Sequence, residues 1–373
     1  MSTLILGYPL DIHIHAVHWA LNKVSLRNQI VYTSDFPQVL RSSIRFSGKK
    51  PPQAEFRDQG ARSATGEFET IWFRRAGHSM RPTNMVDADW TITERECEHH
   101  FRSLRYHLAP SALWVNDIDA REKARLKAMQ LEVAKEAGLP IPETLFSNDP
   151  DEIRKFFAEF RASGVIFKLS DQANWHTPSQ RERSSLFTTQ LHEEHMKDDV
   201  ALSNCPAIYQ NKIAKKFELR VTCMDEVCFA ARLDSQSKQK TKIDWRADFT
   251  RPLTPQVFEL PGHIEERCIA FMKRLGLVFG CIDLIVTPND EFVFLEVNEM
   301  GQFLWVEMRQ PAFPLLRAFT TLLVQKNLTR ASRLVGSDAI SYQAFQDSGA
   351  WEQGHLNDVE HMSYNPYAYG VEV

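Results

Sequence analysis

The first part of the chain alternates between short apolar runs and apolar residues at helical spacing. Strands are predicted at residues 3–6, 30–32 and 70–75. Helices are predicted by the stripe Ala16, Trp19, Ala20 and Val24, and again at 94–108. Residues 47–68 are polar, contain Gly, Pro, Ser and Lys, and predict a loop. The pattern predicts a small α/β domain over residues 1–117.

A second block begins near residue 118. Asp119 suits a helix N-cap, with Glu122 three residues later, and Gly138 suits the helix end. The predicted apolar stripe of this helix is Leu126, Met129, Val133 and Ala137. A strand at 143–146, a helix from Pro150 and a strand at 164–169 follow. We predict a central subdomain over 118–206, with residues 170–204, polar and aperiodic, as a flexible lid.

The rest of the chain is rich in predicted strands. These strands cover residues 207–213, 217–223, 227–234, 282–286 and 292–297. Helices are predicted at 263–275 and 312–324. We therefore predict a third subdomain over 207–332, and we predict that residues 333–373, which lose periodicity, form a partly ordered tail.

Composition and charge exclude several classes of function. At 373 residues, of which 43% are hydrophobic and 25% charged, the chain matches an ordinary globular protein with more than one core. Its net charge of -4 gives no electrostatic case for nucleic-acid binding. No apolar stretch has the length of a membrane span, and residues 1–15 lack a basic leader. The six cysteines have no C-x-x-C spacing. We therefore expect a cytoplasmic protein with reduced thiols and no membrane partner.

The hairpin predicted near the C-terminal end carries three polar residues in apolar strands. Asp283 lies in the first strand, and Glu296 and Asn298 share one side of the second. Burying these groups is costly unless their charge is compensated, and Mg²⁺ bound by oxygen ligands is a common compensation. A plain hairpin whose polar residues face water is the alternative.

Two lysines are placed to meet phosphate. Lys168 lies in the apolar strand VIFKLS, and Lys127 lies on a helix with an apolar stripe. A half-buried lysine commonly binds phosphate as a compact charge. For Lys127, reaching out to a surface carboxylate is a strong alternative.

The hairpin FELRVTCMDEVCFAARLDSQ adds further charged residues. Glu218 and Arg220 alternate onto one face of their strand, and Arg232, on the partner strand, is expected near them. Arginine beside a magnesium site suits the stabilisation of a transferring phosphoryl group or an acyl phosphate. A cross-strand ion pair is the alternative.

Other familiar motifs are weak or absent. Asp11-x-His13-x-His15 lies in a turn that leads into a helix, without a later set of metal ligands. His192-Glu-Glu-His195 lacks the spacing of a zinc protease. The P-loop, Rossmann and nucleophile-elbow motifs do not occur.

Taken together, these segments resemble the ATP-grasp ligases. Within that superfamily the chain is similar to the enzymes that cyclise microviridin-type peptides, the graspetides. The resemblance covers about residues 1–325 and is carried by WFRR at 72–75, WVND at 114–117, the run KAMQL to SNDP at 127–150, VIFKLS, FELRVT, IDWR at 243–246, and CIDLIV to FLEVNEMGQFLW. It implies an α/β (α+β) fold with an N-terminal pre-ATP-grasp α/β domain, a central small domain and a C-terminal antiparallel-sheet domain.

The resemblance also implies roles for individual residues. The ATP-phosphate lysines would be Lys127 and Lys168, and the stretch holding adenine would be Gln210, Asn211, Lys212 and Ile213. The magnesium ligands, for two ions, would be Asp283, Glu296 and Asn298. Glu218 and Arg220 would handle the acidic side chain of the peptide, with Arg232 beside the triphosphate.

The implied function is an ATP-dependent, ADP-forming carboxylate–amine or carboxylate–hydroxyl ligase. Its partner would be a precursor peptide with a leader, which binds the first or central domain, and an acidic, hydroxyl-rich core. Two alternatives stay open: a ligase of free amino acids, and a weakly catalytic peptide-binding scaffold. A homodimer is also left open. The chain departs from the family in the glycine-poor segment 170–204 and in the tail beyond 332, which has no counterpart.

Overall fold

The structure is a computed structural model that describes residues 2–58, 61–75, 79, 81–82, 85–170, 174–176, 183–185, 187–248, 250–336 and 339–363. Up to residue 118 the chain forms β1 (Ser2–Gly7), α1 (Ile12–Lys23), β2 (Arg27–Tyr32), β3 (Arg41–Ser47), β4 (Lys50–Asp58), β5 (Ala61–Ala64), β6 (Thr70–Phe73), α2 (Asp87–Leu108) and β7 (Leu113–Val115). It continues with α3 (Ile118–Arg125), α4 (Lys127–Glu136), β8 (Thr144–Ser147), α5 (Pro150–Glu159), β9 (Val165–Lys168), β10 (Asn174–His176), β11 (Arg183–Ser185), β12 (Thr189–Gln190), α6 (Asp199–Ser203) and β13 (Ala207–Asn211). The remaining elements are β14 (Phe217–Met224), β15 (Val227–Leu233), β16 (Gln256–Phe258), α7 (Gly262–Leu275), β17 (Phe279–Val286), β18 (Phe292–Asn298), α8 (Leu304–Arg309), α9 (Leu315–Gln325), α10 (Tyr342–Asp347) and α11 (Ala350–Ser363).

These elements belong to two compact units. The described residues of the first unit fall within 1–118, 224–227 and 302–373, and those of the second within 119–223 and 228–301. The predicted α/β character and the antiparallel C-terminal sheet are confirmed. The finer division into four parts stays a prediction.

In the first unit, a parallel sheet has the strand order β2-β1-β6-β7. A separate antiparallel sheet, β3-β4-β5, packs against α2. The loop predicted over residues 47–68 is therefore wrong, since β4 and most of this second sheet lie there. Ala54 and Phe56 are buried and alternate with the exposed Gln53 and Arg57. A polar outer face hid this alternation in the sequence.

The first unit also contains the C-terminal helices α10 and α11. Asp358 of α11 accepts hydrogen bonds from the backbone N–H of Leu10 (2.6 Å) and from the Tyr32 hydroxyl, and it pairs with His15 Nε2 (2.7 Å). Gly354 lies against the same imidazole, where a Cβ would approach His15 Nδ1 to 2.4 Å. Residues 342–347 and 350–363 are thus helical where the sequence predicts a tail without periodicity.

The second unit contains two sheets, β12-β9-β13-β8 and β16-β15-β14-β17-β18. Helices α4 and α7 share an apolar core with the larger sheet. The single helix predicted from Asp119 is two helices, α3 and α4, with Leu126 in extended conformation between them. This break shifts the helical phase, so that Leu126 is 58% exposed and Ala124 is buried in its place.

Part of the predicted lid lies outside the described residues, at 171–173, 177–182 and 186. The second half of the predicted lid contains secondary structure: β12 pairs with β9, and α6 follows. Within the described parts of the chain, no helix is both long and apolar enough to cross a membrane.

Candidate active site

The hairpin of β17 and β18 brings its three polar residues together. Asp283 lies directly opposite Glu296, and Asn298 lies opposite Cys281, two residues from Asp283 on the same face. The Asn298 Nδ2 donates to Asp283 Oδ2 at 3.3 Å. Asp283 is 7% exposed. The convergence predicted from the sequence is therefore present in the structure.

Each carboxylate of this group is paired with a cation. Arg220, on β14, donates from one NH1 to both oxygens of Asp283, at 3.0 and 2.9 Å. Lys127, at the start of α4, places Nζ 2.7 Å from Glu296 Oε2. Two residues expected to meet phosphate or acyl phosphate thus lie directly against the expected metal ligands. Protein cations therefore compensate part of the negative charge of both carboxylates.

The pKa values of the two carboxyl groups are shifted in opposite directions. Burial raises the pKa of Asp283, and the Arg220 guanidinium opposes that rise. Burial also acts to raise the pKa of Glu296, but the cations of Lys127, Lys168 and Arg246 outweigh it and lower the value below the ordinary range. Glu296 is therefore held as a carboxylate at the centre of the cationic group.

Lys168 is the unpaired member of this group. It ends β9, and within the described parts of the chain its ammonium makes no hydrogen bond or ion pair. Its pKa is lowered to about 8, mainly by burial, with Lys127 and Arg246 acting in the same direction and Glu296 opposing them. A half-buried ammonium with no partner among the described residues is a strong site for an anion.

Glu218 lies two residues before Arg220 on β14 and faces the same side. It is 4% exposed and accepts a hydrogen bond from Lys215 Nζ at 3.1 Å. The same ammonium donates to the carbonyl of Ile243 at 2.7 Å. Burial raises the pKa of Glu218 despite the Lys215 charge. Lys215 was not identified from the sequence, because it lies in a polar stretch between strands.

Arg232 is not part of this group. Its guanidinium stacks over the Phe217 ring, 4.2 Å from the centroid. Along β15, Arg232 lies on the same face as Ala230 and Cys228. These two residues face the apolar core of the large sheet together with Phe217. The expected proximity of Arg232 to Glu218 and Arg220 is therefore wrong. The sequence identified the right strand, but the hairpin register sends this side chain to the opposite face.

Arg246 lies in the charged group where Arg232 was expected, beside Glu296. The sequence predicted no role for Arg246. Asp244 orients it through two hydrogen bonds of 2.8 Å, from Nε and NH2. The third nitrogen, NH1, lies 3.7 Å from Glu296 Oε1. The Thr188 backbone also donates to Asp244, which joins the described end of the predicted lid to this pair. The IDWR segment was part of the family resemblance, but its loop position gave no geometric clue.

The stretch expected to hold adenine lies at the end of β13. Gln210 pairs with Ile166 on β9 and with Thr144 on β8, and its Nε2 donates to Thr144 Oγ1 at 2.9 Å. The backbone N–H groups of Asn211 and Lys212 donate to Glu143 and Gly164 carbonyls, at 3.2 and 2.8 Å.

Two buried acceptors in the same stretch have no partner. Gln210 Oε1 and Asn211 Oδ1 accept no hydrogen bond from any described residue. Lys212 Nζ donates to Gln190 Oε1 at 3.0 Å, and Ile213, half-buried, continues toward β14. Unsatisfied buried acceptors are uncommon and suit a ligand that donates hydrogen bonds.

The described residues contain no group of three His, Cys, Asp or Glu side chains arranged to hold a metal, and the set of Asp283, Glu296 and Asn298 includes only two residues of these types. His13, from the D-x-H-x-H motif, is 3.0 Å from Asp11 through Nδ1. Its Nε2 accepts from the backbone N–H of Phe303 and Leu304, at 3.2 and 3.4 Å. Both ring nitrogens of His13 therefore make contacts within the first unit.

Comparison with protein-family models gives no match, and comparison with curated proteins gives none either. Solved structures do match. Macrocyclase MdnC from Microcystis aeruginosa MRC, bound with precursor peptide MdnA, is 29% identical with a TM-score of 0.76, over 87% of this chain and 100% of its own. Macrocyclase MdnB from the same source is 27% identical with a TM-score of 0.72, over 87% and 99%. A RiPP-associated ATP-grasp ligase from Chryseobacterium gregarium, in complex with ADP and a leader and core peptide, is 24% identical with a TM-score of 0.79, over 90% and 99%.

These likenesses span nearly the whole length of each solved chain. The fold agrees with the resemblance found in the sequence, and the charged group on β14, β17 and β18 lies in the sheet that the resemblance assigns to catalysis. The chain is similar over most of its length to macrocyclases MdnC and MdnB, and it has the fold of a RiPP-associated ATP-grasp ligase.

Proposed function

We propose that this protein joins Asp or Glu side chains of a ribosomal precursor peptide to Ser, Thr or Lys side chains, forming macrocyclic esters or amides at the expense of ATP. The observation that carries the proposal is one buried to half-buried group in the second unit. It combines two carboxylates and an amide (Asp283, Glu296, Asn298) with an ammonium that has no partner among the described residues, Lys168. Precursor peptides bound to the similar solved enzymes support the choice of substrate.

The donor set fits magnesium and ATP. Asp283, Glu296 and Asn298 offer hard oxygen atoms, and three protein ligands leave room for phosphate oxygens and water, as is usual for this ion. We propose two ions at these residues. Magnesium, when bound, would neutralise charge on the phosphates. Lys127 and Lys168 would bind phosphate oxygens, and the unsatisfied acceptors of Gln210 and Asn211 would face the adenine.

The cations of the site would guide two transfers. In the first, a peptide carboxylate oxygen attacks the γ-phosphorus, the bond to the β-phosphate oxygen breaks, and ADP leaves. In the second, a hydroxyl or amine attacks the acyl carbon and loses a proton. The bond between the acyl carbon and the phosphate oxygen breaks, and inorganic phosphate leaves. Arg220 and Arg246 would stabilise negative charge on the acyl phosphate because both guanidinium groups point at this cluster. Glu218 would keep Lys215 in place on the same face.

Mass spectrometry tests the proposal directly. The protein is incubated with ATP, magnesium and a peptide encoded beside its gene that is rich in Thr, Ser, Glu and Asp. Loss of one water for each bond formed, together with ADP release, is the expected result. A mass gain equal to an added amino acid would instead identify a ligase of free amino acids. Absence of ATP turnover that depends on Glu296 would identify a scaffold.

The leader gives a second test, since binding energy remote from the reacting atoms can position them. A core peptide without its leader should be processed slowly, and leader supplied in trans should restore part of the rate. Equal rates with and without leader would contradict recognition through a leader.

A further inference from the structure

The small sheet β3-β4-β5 carries four arginines on its outer face. α2 covers the inner face, where Ala54 and Phe56 are buried. On the outer face the register aligns Arg41 with Arg57 and Arg57 with Arg62, which forms a row of three arginines across three strands. Arg45 lies further along β3, opposite Gln53. We call these four residues the arginine face.

Little on the same surface compensates this charge. Glu55 is its one carboxylate within the described residues; it bonds to Arg62 Nε at 2.7 Å and lies 3.9 Å from Arg57. Arg41 and Arg45 are exposed and make no ion pair with a described residue. Like charges placed directly opposite each other destabilise a sheet. The arrangement therefore works against stability and suits a negatively charged partner.

We propose that the arginine face binds an extended acidic segment of the precursor peptide, an inference that rests on the proposed function. Neighbouring strands lie about 4.8 Å apart, and residues two apart along a strand lie about 6.7 Å apart. Arg41 and Arg45 lie four residues apart on β3, which is twice the second spacing, so carboxylates four positions apart in an extended peptide can meet both arginines. Arginine forks bind carboxylates through paired hydrogen bonds.

The surface favours a peptide over a nucleic acid. Between the arginines, the outer face presents small or polar side chains, Ser43, Gln53 and Ala64, and no aromatic side chain on which a base could stack. Phe46 belongs to the other face, where its ring lies 5.2 Å from that of His107.

Charge reversal with a matched control tests the proposal. Arg41→Glu combined with Arg45→Glu removes the two arginines that have no ion pair, so the fold should be kept. Arg95→Glu combined with Lys135→Glu changes net charge equally at exposed helical positions that have no ion pair with a described residue. The probe is a fluorescent ten-residue peptide of alternating Glu and Ser, and its Kd is measured by anisotropy at two salt concentrations. Reversal on the arginine face should weaken binding by about tenfold or more and flatten its salt dependence, while the control leaves both unchanged.

Three results would overturn the proposal: equal weakening by both double variants, equal binding of a Gln/Ser peptide, or tighter binding of oligothymidylate than of the acidic peptide with the same sensitivity to Arg41 and Arg45. The last result would assign the face to nucleic acid. A failure of the proposed function is seen separately, as absence of ATP-dependent loss of water from the precursor. If ATP-dependent loss of water from the precursor occurs but the acidic probe does not bind, the proposed role of the arginine face is rejected and the proposed function is kept.

Discussion

Lys168 is expected to lower the stability of the ligand-free protein. Burial lowers its pKa from the ordinary 10.5 to about 8. A difference of about 2.5 pH units corresponds to at most about 3 kcal/mol of unfolding free energy, since one unit equals about 1.4 kcal/mol. Methionine fills a similar volume without charge. Lys168→Met should therefore stabilise the ligand-free protein by up to about 3 kcal/mol at pH 7.

The pH dependence follows from the direction of the shift. Below pH 8 the lysine is protonated in both the folded and the unfolded chain, so the full penalty applies. Between about pH 8 and 10.5 the unfolded chain binds more protons, and the stability of the wild type rises toward that of the variant. The advantage of Lys168→Met should thus be largest near neutral pH and should disappear above about pH 10.5.

Denaturant unfolding at pH 7 and pH 10 measures this difference, and melting with ADP and magnesium measures nucleotide binding. Lys127→Met is the matched control, because Lys127 pairs with Glu296 at 2.7 Å and its removal should destabilise the protein. Lys168→Met should also lose most of the melting shift caused by nucleotide. A Lys168→Met protein that is less stable than the wild type and keeps its nucleotide shift would refute the reasoning.

The other predictions concern the paired residues. Glu296→Gln should abolish ligation and, since it leaves Lys127 without its carboxylate, lower the unfolding free energy by about 1–3 kcal/mol; product mass and denaturant unfolding measure both. Arg220→Ala should cost about 3–5 kcal/mol at pH 7 by stranding Asp283, and adding Asp283→Asn should recover much of it in a double-mutant cycle; no recovery would contradict the pair. Arg232→Leu should keep ligation within about twofold, because this side chain lies on the opposite face; a loss like that of Arg220→Ala would return Arg232 to the site.

Local patterns predicted that polar residues converge in the hairpin of β17 and β18. Asp283, Glu296 and Asn298 lie within one hairpin, where alternation along neighbouring strands decides which side chains meet. Pairings between distant segments could not be read in this way. The contact of Lys127 with Glu296 joins residues 169 positions apart and depends on how α4 packs on β18.

Three errors have distinct physical origins. The strand of Arg232 alone does not fix the face of its side chain, because that face depends on the hairpin register, and a shift of one residue moves every side chain to the other face. The strands at 50–64 were missed because their outer face is polar and charged, so that only two buried side chains, Ala54 and Phe56, mark the inner face of β4. Leu126 is exposed because the chain breaks its helix there, which no proline or glycine signals.

The composition of the first unit has a consequence for synthesis on the ribosome. Residues within 1–118 and residues beyond 302 build that unit jointly, and Asp358 binds Leu10, His15 and Tyr32 across more than 320 positions of sequence. In a growing chain, Leu10, His15 and Tyr32 lack Asp358 until α11 has left the exit tunnel of the ribosome. The second unit, which ends at residue 301, is complete sooner. The first segment to be translated is therefore the last to reach its native state, and translation that stops between residues 301 and 358 yields a chain with a complete second unit and an incomplete first unit.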